Sequence, residues 1–329
     1  MTAAPMIEFW RGGMLESFHA GHAVVFGPDG IEAAWGDPEA VIFPRSSVKM
    51  IQALPLVESG AADAAGLSDR QLAFACASHS GAALHRDAAA EWLAGISMNE
   101  EDLRCGTHMP WDTTEKTRLV CSHESPCQLH NNCSGKHVGF LTLNRHLRGG
   151  SEYVEVTHPL QQTIKTVFEE VTDVTSPGFG IDGCSAPNFA TTVTGLARAM
   201  QLFAAANPEG STRERAAARL TQAMATFPEM VANDGRACTE LMRAMGGKVA
   251  VKTGAEAVYI AILPEQKRGI ALKIVDGATR ASEAAITALL IRQGVLDRNH
   301  PTVETWLTGA QKNWRGIVTG EIRLAPGFG

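Results

Sequence analysis

Phe43-Pro44-Arg45-Ser46-Ser47-Val48-Lys49-Met50-Ile51-Gln52-Ala53-Leu54-Pro55-Leu56 is the stretch around which the chain is organised. A proline ahead of a serine pair, followed by apolar residues at Val48, Ile51, Leu54 and Leu56, predicts a mostly buried helix with a polar first turn. Ser46 and Lys49 lie three apart, so on a helix they share a face and the amine reaches the hydroxyl within one turn. A serine hydroxyl is a weak nucleophile at neutral pH. A lysine takes its proton only where burial or a neighbouring cation weakens the amine's hold on its own. The free N–H groups of a helix start would also receive an oxyanion. The plain structural alternative is a capping serine beside a solvated lysine, because S-x-x-K is short enough to recur by chance.

The chain has 329 residues, enough for one large domain or two. Hydrophobic residues make up 45% and charged residues 19%, with 32 glycines, which favours small-residue packing of helices on sheets over disorder. Lys and Arg total 29 against 35 Asp and Glu, a net charge of −6 with no basic run, so nucleic acid is not an expected partner. The N-terminal stretch Met1 to Arg11 lacks the cationic start and apolar run of a secretory signal. No apolar stretch approaches membrane-spanning length, so no membrane partner is expected and the cytoplasm is the expected location. Seven cysteines, at 76, 105, 121, 127, 133, 184 and 238, form an odd and scattered set. That argues against a disulfide framework and for thiols that are buried, metal-bound or catalytic.

Strand-like runs alternate with turns upstream of the organising stretch: Ile7 to Trp10, His22 to Phe26, Ile31 to Trp35 and Val41 to Phe43, with a turn at Pro28-Asp29-Gly30. Downstream, Gln71 to Ala77 reads as a strand or a buried helical turn, ending in Ser78-His79-Ser80-Gly81, and His85 to Leu93 reads as a helix. Residues 103–137 crowd cysteines, histidines and prolines into one loop-rich segment. The six-residue spacing of Cys121, Cys127 and Cys133 is not that of a zinc finger, which shows paired C-x-x-C steps. A helix follows His158-Pro159. Gly178 to Gly183 contains G-x-G-x-x-G, but no strand precedes it and Pro187 interrupts any helix after it, so it reads as a glycine-rich turn presenting Asp182 and Cys184. Alanine-rich helices fill 188–244. A hairpin around Lys252-Thr253-Gly254 and a helix from Ala281 to Ile291 complete the reading, with no repeat or linker. The expectation is therefore a single domain, 1–329, of α+β class, an antiparallel sheet packed against helices.

S-x-x-K on a helix with K-T-G on a strand is the paired signature of penicillin-recognising serine hydrolases, which yields two serine–lysine pairs, Ser46 with Lys49 and Ser78 with Lys252. Ser78-His79-Ser80 replaces the middle S-D-N element of that signature and lies close behind Ser46. Taken together, Pro44 to Lys49, Ala77 to Gly81, Asn132-Cys133-Ser134-Gly135-Lys136-His137, Gly180 to Pro187 and Val251 to Glu256 resemble the Rhizobium etli-type (class 3) L-asparaginases over nearly the full length. The resemblance implies a serine β-lactamase/glutaminase-like fold, a homodimer and hydrolysis of L-asparagine, a linear amide, to L-aspartate and ammonia. It implies Ser46 as nucleophile with Lys49, Ser78 with Lys252 as second pair, and zinc (Zn2+) on Cys133, Lys136 and Cys184. It further implies that Arg45, His137 and Asp182 hold substrate, with Cys238 near the site. A lysine ligand must first lose its proton, which is unusual for zinc. Another serine amidohydrolase, of glutaminase or penicillin-recognising type, is the alternative function.

Overall fold

A computed structural model describes residues 2–328. The chain divides into two compact units: Met1–Ser47, Thr191–Ala205 and Glu240–Gly329 form one, and Val48–Ala190 with Ala206–Thr239 the other. The segments interleave, so no linker marks the division in the sequence.

The first unit is built on an antiparallel sheet. Its strands run in the order Gln311–Lys312, Val318–Leu324, Ala4–Arg11, Met14–Gly27, Arg268–Ile274, Val258–Leu263 and Ala250–Gly254, and Gly30–Trp35 pairs with Met14–Gly27 off this path. Every residue of Val258–Leu263 is buried, as its unbroken apolar run requires when both faces of a strand are covered. Helices Val193–Ala205 and Thr279–Arg292 both pack on this sheet. At Gly269 a Cβ would lie 2.2 Å from the Ala197 carbonyl oxygen, so the glycine lets helix backbone rest directly on strand backbone. The four N-terminal strands and the hairpin around Lys252 lie where periodicity places them.

The second unit is mainly helical. Helix Lys49–Glu58 packs against Ser134–Leu147, Pro159–Thr172 and Thr212–Thr226, which buries every side chain from Lys49 to Leu56. The sequence places its start near Ser46. Instead, Arg45–Val48 forms a 3-10 turn with Arg45 at φ +53°, and the α-helix begins at Lys49. Gln71 to Ala77, open between strand and helix in sequence, lies mostly in helix Asp69–Ala75, where Ser68 and Gln71 form a reciprocal capping box. No helix among the described residues is long and apolar enough to cross a membrane.

The rings of His79 and His85 stack at 4.5 Å in the interior of this unit, with Phe74 beside both. Burial lowers the His85 pKa from 6.5 to about 4, and burial likewise holds His79 well below its ordinary range. Both rings are therefore folded in the neutral form. A base with a depressed folded-state pKa contributes stability that is fully present above the unfolded value and is lost as pH falls through the folded one. Equilibrium unfolding should accordingly show stability declining from about pH 6.5 towards pH 4, by on the order of 3 kcal/mol from His85 alone. His85→Phe, which keeps the stack without the titration, should flatten that decline; a variant with the same slope would remove His85 from the account.

Candidate active site

The sheet unit carries Arg45, Ser46 and Lys252. Ser47 is wholly buried and its Oγ donates to the Pro44 carbonyl at 2.7 Å, while Ser46 remains half-buried. The Ala250–Gly254 strand lies directly against this turn. A Cβ on Gly254 would fall 2.5 Å from Pro44 O and 3.0 Å from Ser47 N, so only glycine permits the approach. Side chains two apart share a face of a strand, which puts Lys252 on the Gly254 side, towards the Ser46 turn. Lys252 is fully buried and its Nζ donates to Thr253 O at 2.8 Å.

The helical unit carries Lys49, Ser78, Cys133, Lys136, His137, Asp182 and Cys184. Lys49 is 1% exposed; its Nζ donates to Ala77 O, to Ser78 Oγ at 3.0 Å and to Cys133 Sγ at 3.1 Å. The lysine expected beside Ser46 thus has Ser78 as a direct partner. Ser78 is placed by its own N–H, which donates to Val231 O at 2.8 Å. Its neighbour His79 accepts the Gly81 N–H at Nδ1 and so presents Nε2 to Ser134 Oγ at 3.0 Å.

Cys133 and Lys136 flank the first turn of helix Ser134–Leu147, and Cys184 comes from the tight turn that Asp182 N–H and Ala186 O close. Lys136 Nζ donates to Cys184 Sγ at 2.9 Å. A hydrogen bond from the Cys133 thiol, supported by the Lys136 charge, holds Cys184 well below the usual thiol range, as a thiolate. The same bond, with burial, pushes Cys133 up. Burial opposes a charge on Lys136, but Cys184 and Cys133 outweigh it and keep the ammonium protonated. Two sulfurs and one nitrogen therefore converge, a donor set that fits zinc with a fourth position left open. Metal would have to displace the protons of Lys136 and Cys133. Among the described residues no group of three His, Cys, Asp or Glu is placed to hold a metal.

His137 is wholly buried and neutral, since burial drives its pKa well below 6.5. The Tyr153 hydroxyl accepts the Arg104 N–H at 2.9 Å and gives its proton to His137 Nδ1 at 2.9 Å. The remaining proton sits on Nε2, which has no hydrogen-bond partner among the described residues. An unfilled donor beside the Lys136 cluster is what a substrate oxygen requires. Asp182 accepts the Gly183 N–H at 2.8 Å, as a turn aspartate does. Cys238 is buried in the same unit.

Sequence reading missed three supports. Asn131 donates from Nδ2 to Cys105 O at 2.8 Å and accepts Cys133 N–H at Oδ1 at 2.9 Å, fixing the cysteine's approach. His79 and Tyr153 set Ser134 and His137. Asn131 immediately precedes a quoted motif and was within reach; Tyr153 sits in a polar loop that carries no local signal.

The chain matches the family model described as L-asparaginase II over residues 7–324. No curated protein matches it. Among solved structures it is similar to Mglu in its native form, with TM-score 0.51 and 14% identity over 86% of this chain and 66% of that one, just under two thirds of its length. It is also similar to a beta-lactamase from Mycobacterium bovis, with TM-score 0.44 and 13% identity over 84% and 95% of the two chains. A Bacillus subtilis glutaminase, YbgJ, in covalent complex with 5-oxo-L-norleucine gives TM-score 0.35 and 11% identity over 84% and 88%. The likeness to Mglu is one of fold, and the antiparallel sheet packed with helices is the class expected from sequence.

Proposed function

The chain belongs to the L-asparaginase II family, and from that premise we propose that it hydrolyses L-asparagine to L-aspartate and ammonia by acyl transfer to a serine. The observation that carries the reading is the buried lysine Lys49 within 3.0 Å of the Ser78 hydroxyl, because a lysine is rarely buried and this one sets its amine against a serine. Ser46 attacks the side-chain amide carbon, its proton passing to Lys49. The leaving nitrogen takes a proton relayed by Ser78 and Lys252 and departs as ammonia; water then hydrolyses the ester by the reverse path. Arg45, His137 and Asp182 hold the amino-acid end of the substrate, and the unfilled Nε2–H of His137 is the donor aimed at an oxygen. Zinc on Cys133, Lys136 and Cys184 would supply a Lewis-acidic anchor for the substrate's α-amino and carboxylate groups. A homodimer is the proposed assembly.

Ammonia release across L-asparagine and L-glutamine, with a chromogenic β-lactam alongside and each with and without a chelator, tests the reading. Turnover led by L-asparagine is expected. Turnover led by glutamine or the lactam would move the chain to another serine amidohydrolase, and no release from any amide would end the proposal.

Gly254→Ala gives a second test. The new methyl meets backbone, not a flexible side-chain tip, so the Pro44–Ser47 turn must move. A displacement of about 1 Å at a nucleophile costs on the order of 10²-fold in rate. We expect kcat for L-asparagine to fall by about that factor with the far-UV CD spectrum unchanged; an unaltered kcat would detach the strand from the chemistry.

A further inference from the structure

The sheet unit holds a cavity of about 570 Å³ that amide hydrolysis leaves unused. It opens between helix Thr279–Arg292, segment 301–308 and strand Val318–Leu324, and its walls are apolar: Ile291, Val303, Leu307, Leu324 and Phe328. That volume falls within the range of about 300–1,000 Å³ usual for small-molecule sites. Leu307 comes from a π-helical turn, Glu304–Thr308, a rare geometry that recurs at functional sites.

Two cations, Arg292 and Arg298, stand at this cavity, and no acidic side chain lines it. Among the described residues neither arginine is in an ion pair. Arg292 is set in place without one. Its guanidinium lies over the Trp35 ring, 5.0 Å from the centre, and Trp35 is itself fixed, donating from Nε1 to Gly327 O at 3.0 Å and meeting the Phe328 ring edge-on at 5.4 Å. A guanidinium stacked on an aromatic face keeps its N–H edge free for a carboxylate. Phe328 thus both walls the cavity and steadies the ring that holds the cation.

We propose that this cavity binds a single-chain amphiphile with an anionic head, of the class of medium-chain fatty acids, its carboxylate on Arg292 and Arg298 and its alkyl chain against Leu307, Leu324 and Phe328. The arginines offer a carboxylate charge-assisted hydrogen bonds, and the walls gain with every methylene withdrawn from water. A small inorganic anion would leave those walls wet, and an uncharged hydrocarbon would leave the arginines unanswered. Four strands of the sheet stand between Val318–Leu324 and the Lys252 strand Ala250–Gly254. The site is therefore separate from the amide chemistry and stands or falls apart from the proposed function.

Isothermal titration of the full-length protein with decanoate, 1-decanol and decyltrimethylammonium, each as monomer below any micellar concentration, is the test. One decanoate per chain should bind at least about tenfold more tightly than decanol, the worth of a charge-assisted hydrogen bond, and the cation should not bind. From octanoate to dodecanoate each added methylene should tighten binding about threefold. Arg292→Gln with Arg298→Gln, both exposed, should bring decanoate to the affinity of decanol and leave decanol unchanged, a split that general damage to the fold would not give. Ala288→Phe grows from the cavity wall into the space and should weaken both ligands at least about tenfold. Decanoate that fails to bind, or binds no more tightly than decanol, would overturn the proposal; if the double arginine change then lowered the sedimenting mass, the face would belong to a second copy of the chain. Decanoate binding indifferent to both variants would place the ligand elsewhere and overturn it equally.

Discussion

Ser46→Ala is expected to lower kcat for L-asparagine by more than about 10³-fold, because what survives removal of a nucleophile is only binding and oxyanion stabilisation. The loss should leave folding intact. Ser46 is half-buried, whereas the hydroxyl that closes the turn onto Pro44 belongs to Ser47. Replacement of the former falls in the range of ordinary surface changes, within about 0.5 kcal/mol. Groups that act as a unit give non-additive losses, so Ser46→Ala combined with Lys49→Met should be no worse than the more damaging single change. The structure sharpens the alternative outcome. Lys49 already touches Ser78, so a Ser46→Ala enzyme retaining a tenth or more of its activity would pass the nucleophile's role to Ser78, and Ser78→Ala would then be the inactive variant.

Cys184→Ala is expected to destabilise the chelator-treated protein by about 3–5 kcal/mol, the range for breaking a buried ion pair from one side. Lys136 is 3% exposed, and the sulfur it would lose lies 2.9 Å from its Nζ. The Cys133 thiol and the face of Phe140, with Nζ 5.1 Å from the ring centre, stay behind, and the charge of Asp182 offsets part of the loss. An ammonium stranded there costs far more than a missing thiol does. The double change Cys184→Ala with Lys136→Met should therefore recover most of the loss, since it removes both charges together. Chemical denaturation of the unaltered protein, Cys184→Ala, Lys136→Met and the double variant measures this directly. A single-variant loss below about 1 kcal/mol would mean that Cys184 and Lys136 are neutral neighbours. Zinc content, expected near one per chain before substitution, should fall towards none in Cys133→Ala and in Cys184→Ala, because two protein ligands hold the ion too weakly.

Much of this arrangement was legible in the sequence, and the reasons are local. Strands such as Val258–Leu263 announce themselves by composition, and the Ser46 turn with its K-T-G strand by a two-part motif whose halves pack together through Gly254. The helix start was read three residues early because a Pro-Arg-Ser-Ser run looks like an N-cap, whereas Arg45 enters the left-handed region and tightens the turn to 3-10. The partner of Lys49 was not legible. Helical spacing points to Ser46, three residues off, and the contact with Ser78 depends on how helices Lys49–Glu58 and Asp69–Ala75 pack, which periodicity does not encode. The unfilled nitrogen of His137 is equally invisible, since it follows from a tyrosine in a distant loop claiming the other one.

The order of strands in the sheet carries a consequence for biosynthesis. Met14–Gly27 pairs Gly21 to Phe26 with Ile274 to Gly269, and Ala4–Arg11 pairs Ile7 to Arg11 with Leu324 to Gly320. On the ribosome the N-terminal hairpin therefore emerges long before either neighbour exists. At about 5–20 residues per second the wait for Gly269 is on the order of 10–50 s. Segment 48–190, by contrast, needs only 206–239 to complete its unit and can close during that interval. The nascent chain holds two unpaired strand edges in the meantime, with Met14, Leu15 and Phe18 on the hairpin solvent-exposed even in the finished protein. Such edges recruit other chains. Arrested or truncated products ending before Arg268 should be the aggregating species in cells, and slowing translation between residues 240 and 268 should lower soluble yield without altering the protein that does finish.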